Sequence, residues 1–309
     1  MSNYYNENTV LYINGEYRRA SETTIDLYSQ TLHYGYGVFE GIRAYKTING
    51  DTKIFKPVEH FDRLEASAIA LNFPYTYKTA ELIDATYEVL KRNQLQDAYI
   101  RPLMFAPNNM SFVKNNESFI VIQAWEMAPF LGDRLLKVMT SSFQRPNPKG
   151  FKIHAKATGH YVNSILASQE AKSKGYDEAL LTDMNDHVAE GPGANMFYEK
   201  EGILYTPPVG NILPGITRST VFEICEELEI EVREKLFNAD EVYQADAAFF
   251  CGTAAEVIGW ESLDEVSFKK DWKNTKGKLI QDAYKARVIE ATYNLKQHKG
   301  LTTSLTYSR

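Results

Sequence analysis

The sequence predicts a mixed protein of helices and strands (α/β, α+β) divided into two domains. Its 309 residues are 44% hydrophobic, which is enough for a core larger than one ordinary domain needs. Segments with helical spacing and short, apolar, strand-like segments both occur along the chain. Residues 126–135 contain Pro129 and Gly132 between two strand-like segments, and this composition is typical of a linker.

The composition argues against several classes of partner. The formal net charge is -6 and the pI about 5.6, and no basic cluster long enough for a nucleic-acid surface occurs. No basic segment followed by an apolar stretch opens the sequence, and no apolar run approaches the roughly 20 residues of a membrane helix. The two cysteines give no disulfide pattern. We therefore expect a cytoplasmic protein with neither membrane nor nucleic-acid partners.

The first half of the chain predicts a hairpin, two helices and a sheet. Asn14-Gly15 is a turn signal between two short strands, and Pro57 is suited to the first turn of a helix. The last strand of this half is apolar enough to lie centrally in a sheet. The predicted strands are Val10–Ile13, Glu16–Arg19, Ile42–Tyr45, Thr52–Phe55, Ala98–Phe105 and Phe119–Trp125, and the helices are Pro57–Leu71 and Ala80–Asn93.

The second half predicts further strands and three helices. The helix that follows residue 156 is expected to present an apolar face with Tyr161, Ile165 and Ser168, beside Leu166 and Ala167, and to stop at Gly175. A second helix opens at 214–220 and runs to Glu229, a third covers Lys276–Tyr293, and a frayed tail follows Lys296. The predicted strands are Leu136–Ser141, Glu178–Thr182, His187–Glu190, Asn195–Tyr198, Ile203–Tyr205, Ile230–Lys235 and Ala247–Cys251.

Three local patterns carry candidate chemistry. Lys156 lies among the small residues of HAKATG, where the backbone allows close approach of a bulky group, and a positioned amine suits Schiff-base chemistry. The Gly215–Thr217 segment at a helix start offers free amides and a hydroxyl to a phosphate, although the same pattern also serves as an ordinary N-cap. Glu190 precedes a Gly-Pro-Gly turn.

Other chemistries lack their motifs in this sequence. The six histidines show no paired ligand spacing, so no metal site is expected. Neither a G-x-S-x-G nucleophile motif nor a P-loop nor a Gly-rich dinucleotide turn occurs.

Seven segments, in order, resemble those of fold-type IV (class IV) pyridoxal-phosphate enzymes, and specifically of branched-chain amino acid aminotransferases. Together they cover most of the chain, and their joint order is more specific than any one of them. They are LHYGYGVFEGIRAY (32–45), HFDRL (60–64), AYIRPL (98–103), HAKATGHY (154–161), EGPGANMF (190–197), LPGITR (213–218) and CGTAAE (251–256).

The resemblance implies an architecture, a cofactor and an assembly. Residues 1–126 would form a small α/β domain, 127–136 an interdomain loop, and 137–309 a larger β-barrel-like domain with helices. Pyridoxal 5'-phosphate would bind between the domains. Family members are at least dimeric, so a homodimer or a dimer-based higher homo-oligomer is expected, in which the partner subunit helps to wall the pocket.

The resemblance also implies roles for the cofactor site. Lys156 would carry the cofactor covalently and move the proton during catalysis, Glu190 would keep the pyridine nitrogen protonated, and Tyr161 would bind the phenolic oxygen. The residues implied for the cofactor phosphate are Arg63, Ile216, Thr217 and Thr253.

For the substrates, the resemblance implies reversible transfer between branched-chain L-amino acids (leucine, isoleucine, valine) and 2-oxoglutarate. The α-carboxylate would be bound by the Thr253-Ala254 turn and Tyr99, and the side-chain carboxylate of glutamate by Arg101 and Tyr34. Phe39 would wall the apolar pocket. Met127 and Phe130 replace a tryptophan and a tyrosine of a bacterial relative, which puts the range of amino donors in question.

Alternatives remain open at this point. A D-amino acid aminotransferase, an aminodeoxychorismate lyase and an (R)-selective amine transaminase share the fold, while a non-catalytic scaffold would not need Lys156 and Glu190. The Tyr99-x-Arg101 strand and the Phe39-Glu40-Gly41 run favour the branched-chain enzyme.

Overall fold

The computed structural model describes residues 4–127 and 131–291. The described chain forms two compact units, each with its own sheet. Unit 1 comprises 4–127 together with Lys152–Tyr161, and unit 2 comprises 131–151 and 162–291. Among the described residues, no helix combines the length and the apolar character that crossing a membrane requires.

Unit 1 contains a seven-stranded sheet in the order β2-β1-β7-β6-β4-β5, with β3 paired to β6. The pairings are antiparallel, and β7 lies between β1 and β6, so its predicted central place is confirmed. The strands are β1 (Val10–Ile13), β2 (Glu16–Arg19), β3 (Gly37–Phe39), β4 (Ile42–Lys46), β5 (Thr52–Ile54), β6 (Ala98–Phe105) and β7 (Phe119–Trp125).

Local sequence explains the turns and helices of unit 1. Asn14 and Gly15 both have positive φ, 49° and 94°, as a tight hairpin turn requires. The helices are α1 (Gln30–Tyr34), α2 (Pro57–Ala70) and α3 (Thr79–Arg92), and Pro57 occupies the first turn of α2. Phe61 and Leu64 of α2 are fully buried in the core formed with the sheet.

The segment Lys152–Tyr161 packs with unit 1, although the sequence analysis placed 137–309 in one domain. Backbone hydrogen bonds explain the difference. The amide of Phe39 donates to the Lys156 carbonyl at 3.0 Å, and the amide of Gly159 donates to the Gly35 carbonyl at 3.0 Å. Gly35 has φ 63°, and a Cβ there would lie 2.7 Å from the Gly159 Cα, so both glycines permit this close approach.

Unit 2 contains a nine-stranded sheet in the order β10-β9-β8-β15-β14-β11-β12-β13, with β16 paired to β15. The β8–β9, β8–β15 and β12–β13 pairs are parallel, and the others are antiparallel. The strands are β8 (Leu136–Gln144), β9 (Glu178–Thr182), β10 (Val188–Glu190), β11 (Asn195–Lys200), β12 (Ile203–Thr206), β13 (Val232–Glu234), β14 (Ala247–Gly252), β15 (Glu256–Leu263) and β16 (Val266–Ser267).

The later helices differ from the predictions in detail. They are α4 (Tyr161–Ser173), α5 (Ile216–Glu227), α6 (Ala239–Tyr243) and α7 (Lys276–Val288). The apolar face predicted for α4 is wrong at Ile165 and Leu166, which are exposed. Ala167, which was predicted beside that face, is buried, together with Ser164 and Ala171. Small residues allow this helix to pack closely on the sheet.

Three of the sequence-based predictions fall on parts of the chain that the structure does not describe. The predicted end of the last helix at Tyr293, the tail after Lys296 and the loop residue Phe130 lie outside the described residues.

Candidate active site

Lys156 and Tyr161 are joined at the centre of the candidate site in unit 1. The Lys156 Nζ donates a hydrogen bond of 2.6 Å to the Tyr161 hydroxyl. The turn Thr158–His160 between them is a 3-10 helix, and α4 begins at Tyr161. Because the Lys156 carbonyl and amide are both bonded within unit 1, this amine projects from fixed backbone.

Phe39 contacts both residues of this pair. Its ring packs against the Tyr161 ring at a centroid separation of 4.8 Å, and the Lys156 Nζ lies 5.0 Å from the Phe39 ring centroid. Phe39 is 7% exposed, so it forms a firm apolar wall beside the amine.

Arg101 lies among aromatic rings on the same face of the sheet. Its guanidinium carbon is 4.6 Å from the Phe39 ring centroid, 5.3 Å from that of Tyr99 and 5.9 Å from that of Trp125. Its Nη2 donates to the Tyr99 hydroxyl at 3.2 Å. The Arg101 Nε is buried and has no hydrogen-bond partner among the described residues. An arginine stacked this way is suited to binding a carboxylate.

Arg63 forms a buried ion pair. Its Nε and Nη2 donate to the two oxygens of Glu40 at 2.7 and 2.8 Å, and His60 Nδ1 contacts the same carboxylate at 2.7 Å. Burial alone would raise the pKa of Glu40, but Arg63 and His60 outweigh it and hold that pKa well below its usual range. Burial lowers the pKa of His60, which favours the neutral imidazole.

The described contacts of Tyr34 include Met110 and Phe112 of unit 1. It is 45% exposed, its hydroxyl donates to the Met110 carbonyl at 3.3 Å, and its ring contacts Phe112 at 5.3 Å. Its predicted role beside Arg101 has no support from contacts within one chain.

In unit 2, Glu190 is held by several donors. Asn195 Nδ2 donates to Oε2 at 2.9 Å, and the Leu213 amide donates to Oε1 at 3.1 Å. The Arg145 Nε forms an ion pair with Oε1 at 3.0 Å. Because Glu190 is 5% exposed and bonded on both oxygens, its carboxylate has a fixed direction.

The same asparagine also shapes the start of α5. Asn195 Nδ2 donates to the Leu213 carbonyl at 3.0 Å. A Cβ at Gly215 would lie 2.0 Å from the Asn195 Oδ1, so only glycine fits before the helix. No side chain caps this helix and its first turn carries no acidic residue, which leaves the amides of Ile216 and Thr217 suited to an anion.

The Thr253-Ala254 turn joins β14 to β15 in unit 2. Cys251 of β14 pairs with Asn195 of β11, so this turn follows directly from the strand beside the Glu190 group. A Cβ at Gly252 would lie 3.1 Å from the Gly193 carbonyl oxygen, so the turn packs closely on the Gly-Pro-Gly segment. Thr253 and Ala254 are half-buried.

Several residues of the Lys156 site in unit 1 and of the Glu190 site in unit 2 were not predicted from the sequence. Trp125 ends a strand that the sequence predicts, but its place opposite Tyr99 follows from the β6–β7 register and not from the sequence. Glu40 and His60 lie inside two of the quoted segments, but nothing in their spacing indicates that they meet on Arg63. Asn195 lies in the same quoted segment as Glu190, but nothing in that segment indicated their side-chain hydrogen bond. Arg145 had no signal, because only the folded chain brings it to Glu190.

Comparisons with known proteins identify the family. Residues 37–263 match the family model described as amino-transferase class IV. The branched-chain-amino-acid aminotransferase of Pseudomonas aeruginosa is 40% identical over 283 residues, covering 90% of this chain and 91% of that protein.

Solved structures agree with this match. The branched-chain aminotransferase of the thermophilic archaeon Thermoproteus uzoniensis, with norvaline, superposes with a TM-score of 0.88 at 33% identity, covering 91% of this chain and 95% of that one. The branched-chain amino acid aminotransferase of Thermobaculum terrenum, in its PLP-form (holo-form), gives a TM-score of 0.86 at 33% identity, covering 92% and 95%.

These matches cover most of the chain and both units. They confirm the fold-type IV class, the aminotransferase class and the pyridoxal-phosphate cofactor that the sequence resemblance implied. The chain belongs to the class IV aminotransferases and, within them, to the family of the branched-chain-amino-acid aminotransferases.

Proposed function

We propose that this enzyme catalyses reversible transamination of leucine, isoleucine and valine with 2-oxoglutarate, with Lys156 as the catalytic residue. The observation that carries the proposal is the Lys156 amine, bonded to Tyr161 at 2.6 Å and walled by Phe39. The named relatives supply the substrate class: a branched-chain name on the Pseudomonas protein and norvaline in the Thermoproteus structure.

The residues present fit pyridoxal 5'-phosphate. An amine on fixed backbone suits its aldehyde, and a buried carboxylate with a fixed direction, Glu190, suits its pyridinium nitrogen. The start of α5, where Asn195 leaves room only for glycine at 215, suits its phosphate. We therefore propose Arg63, Ile216, Thr217 and Thr253 as the phosphate-binding residues, as the family resemblance implies.

The cofactor, when bound, supplies an electron sink for the bond broken at the substrate Cα. The chain's own residues do the rest. Lys156 moves a proton at its Nζ, and Tyr161 accepts a hydrogen bond from that atom and orients it. Glu190 keeps a positive charge favourable on the pyridine nitrogen, while Arg145 and Asn195 hold its carboxylate in place.

Arg101 accounts for acceptance of both apolar and acidic substrates. Stacking on aromatic rings stabilises its guanidinium in the absence of a carboxylate. Its Nε, which has no hydrogen-bond partner among the described residues, is able to bind one. A leucine side chain contacts the Phe39 ring and a glutamate side chain reaches Arg101. Tyr99 and the Thr253-Ala254 turn bind the α-carboxylate.

A spectral titration tests the proposal. L-Leucine is added to the purified holoenzyme, followed by 2-oxoglutarate, with Lys156→Ala as control. We expect leucine to bleach the visible absorption band and the keto acid to restore it, only in the wild type. A response to D-alanine or an (R)-amine but not to leucine would mean that the substrates are D-amino acids or (R)-amines and not branched-chain L-amino acids. Absence of any cofactor band would overturn the proposed enzymatic activity.

We also propose a homodimer built on an exposed apolar surface of unit 1, called the aromatic patch and defined by Leu27, Tyr28, Tyr34, Phe112 and Val113. Phe112 is 90% exposed and Val113, the next residue, 70%. The Phe112 ring contacts the Tyr34 ring at a centroid separation of 5.3 Å. Exposed apolar groups of this density are typical of interfaces. In a dimer, Tyr34 would complete the substrate pocket of the partner subunit.

Cytoplasmic location is part of the same proposal. Cys225 and Cys251 are free and buried thiols, as is usual for proteins of reducing compartments. Burial raises the pKa of Cys225 to about 12, which keeps that thiol protonated and inert.

A further inference from the structure

A buried group of three polar side chains lies beside the catalytic lysine. It consists of the Glu40 carboxylate, which is fully buried, the Arg63 guanidinium and the His60 imidazole. Both Glu40 oxygens are engaged: Oε1 by Arg63 Nε, and Oε2 by Arg63 Nη2 and His60 Nδ1. Because the ionised Glu40 carboxylate can only accept hydrogen bonds, the His60 Nδ1 carries a hydrogen and donates it. Burial lowers the pKa of His60, which favours the neutral imidazole.

Stability alone is a weak reason for this arrangement. Removing two charges from water costs several kcal/mol, and apolar residues of similar volume often stabilise a core as well or better. The neighbouring positions of α2, Phe61 and Leu64, are already fully buried apolar side chains. A charged group kept in such surroundings points to a requirement for the charge itself.

The group is tied to the Lys156 backbone from two sides. Phe39, which immediately precedes Glu40, donates its amide to the Lys156 carbonyl at 3.0 Å. Ser67 of α2 accepts the Lys156 amide at its Oγ at 3.0 Å. His60, Arg63 and Ser67 are spaced by three and four residues, so one face of α2 carries all three. The Lys156 charge also contributes to lowering the pKa of His60.

We propose that Glu40 and His60 are positioning residues that fix the Arg63 guanidinium for the phosphate of the cofactor. The inference rests on the proposed function, in which Arg63 binds that phosphate. A guanidinium has five N–H donors, so the two hydrogen bonds that Arg63 donates to Glu40 fix its plane without requiring all of its donors. Glu40 fixes the plane of the Arg63 guanidinium, and His60 fixes the orientation of the Glu40 carboxylate.

Two physical effects of Glu40 oppose each other, and this makes the proposal testable. As a negative charge next to Arg63, Glu40 weakens the attraction of the site for a phosphate. As a bidentate acceptor, it orients the guanidinium before the phosphate arrives. If charge dominates, Glu40→Gln binds the phosphate more tightly. If positioning dominates, as we propose, the same substitution binds it less tightly, because the glutamine amide group cannot accept both N–H bonds.

The test compares two probes that differ only in the phosphate. The full-length chain is freed of cofactor by dialysis, checked by circular dichroism and titrated calorimetrically with pyridoxamine 5'-phosphate and with pyridoxamine. The ratio of the pyridoxamine dissociation constant to that of its phosphate measures the phosphate contribution without any catalytic step. We expect Glu40→Gln to reduce this ratio roughly 10-fold or more, and Arg63→Gln to reduce it at least as far. Pyridoxamine alone should bind within about threefold of the wild type.

A double-mutant cycle shows whether Glu40 acts through Arg63. In the Arg63→Gln background, Glu40→Gln should change the ratio little, because the group it positions is gone. His60→Leu should reduce the ratio several-fold, whereas His60→Asn should largely preserve it, since its Nδ2 can replace the Nδ1 donor. The matched control is Glu88→Gln, which removes an exposed Glu–Arg pair in the same unit, with Arg92 Nε at 2.8 Å, and should leave the ratio unchanged.

The outcomes separate this inference from the proposed function. If Arg63→Gln leaves the ratio unchanged, Arg63 does not bind the phosphate and that part of the proposed function fails. If Arg63→Gln lowers the ratio but Glu40→Gln raises or preserves it, only the positioning role is overturned. Should Glu40→Gln fail to fold, the contrast between His60→Leu and His60→Asn decides, and equal ratios in those two variants contradict the proposal.

Discussion

The contacts of Arg101 predict that it contributes more to binding an acidic substrate than to binding an apolar one. Its guanidinium stacks on Phe39 at 4.6 Å and bonds to the Tyr99 hydroxyl at 3.2 Å, but no acceptor among the described residues satisfies its Nε. A carboxylate that binds there gains a charge-assisted hydrogen bond, which contributes about 1.5–3 kcal/mol. An apolar side chain gains no such bond.

We therefore expect Arg101→Met to weaken the half-reaction with 2-oxoglutarate by roughly 10- to 100-fold in kcat/KM, a factor that corresponds to that energy. The half-reaction with leucine should fall much less. Stopped-flow spectra of each half-reaction measure the two values separately. Arg92→Met is the control, because Arg92 also stacks on a ring, that of Tyr17 at 4.1 Å, but belongs to neither site group. Equal losses of kcat/KM for both substrates would contradict the role of Arg101 in binding the side-chain carboxylate.

The start of α5 depends on the absence of a side chain at Gly215. A Cβ at 215 would lie 2.0 Å from the Asn195 Oδ1, and Asn195 in turn bonds to both Glu190 and the Leu213 carbonyl. A methyl group at 215 would therefore displace the side chain that connects the helix start to Glu190.

Gly215→Ala should lower the free energy of unfolding by about 1–3 kcal/mol, the usual cost of overpacking. It should also weaken pyridoxal-phosphate binding. Urea unfolding and cofactor titration measure the two effects. Gly150→Ala is the matched control in the same unit, since a Cβ there would lie 3.6 Å from its nearest neighbour, an ordinary contact. A variant at 215 that matches the control in both measurements would contradict the packing argument.

The Glu170 carboxylate links helix α4 to strand β8 through hydrogen bonds. Glu170 accepts from Ser141 Oγ at 2.7 Å, from the Ser142 amide at 3.0 Å and from Lys174 Nζ at 2.8 Å. Burial alone would raise the pKa of Glu170, but these donors hold it at about 2. Because the folded pKa is depressed, the stabilisation is complete above the ordinary value near 4.5 and is lost as the pH falls towards 2.

Glu170→Gln should accordingly destabilise the protein by roughly 1–2 kcal/mol at pH 7, a value reduced for the solvent-exposed lysine partner. At pH 3 the difference from the wild type should be smaller. Urea unfolding at both pH values, with the exposed Glu265→Gln as control, measures the change. A difference that does not shrink at low pH would show that Glu170 acts through packing and not through its charge.

Elements with strong local signals were predicted well. The Asn14-Gly15 hairpin, strands Ala98–Phe105 and Phe119–Trp125, and the helix opened by Pro57 follow from turn chemistry, apolar runs and proline geometry. The face of α4 was predicted wrongly at Ile165 and Leu166. Its buried side consists of the small residues Ser164, Ala167 and Ala171, of which only Ala167 was expected, because small residues carry almost no hydrophobic signal.

Site residues divide in the same way. Lys156 and Tyr161 were predicted to lie together because one continuous segment contains both, and their hydrogen bond is local to it. The contact between Arg145 and Glu190 could not be predicted, since Arg145 lies 45 residues before Glu190 along the chain and reaches it only after folding. Spacing along a sequence carries no information about such contacts.

At the scale of the whole molecule, the proposed homodimer makes the aromatic patch essential. Phe112 is 90% exposed, so a charge there costs a single chain little, whereas the same charge buried in an interface costs several kcal/mol. We expect Phe112→Asp to shift the protein towards monomer in light scattering, with the unfolding of each chain little changed.

Ile48→Asp serves as the control, since Ile48 is 50% exposed and outside the patch. If the Phe112 variant has the same mass as the wild type over a range of concentrations, the patch is not the interface. If it is monomeric and also loses activity towards glutamate, the role of Tyr34 in the partner's pocket gains support.

The segment Lys152–Tyr161 makes the folding of unit 1 depend on the order in which the chain is synthesised. Unit 1 includes this segment, yet residues 131–151 of unit 2 are synthesised before it. Until Lys156 has emerged, Ser67 lacks the amide that it accepts and Phe39 lacks its carbonyl acceptor. The first unit therefore cannot complete its fold before residues 131–151 of the second have been synthesised, and Lys156 belongs to the part of unit 1 that is synthesised last.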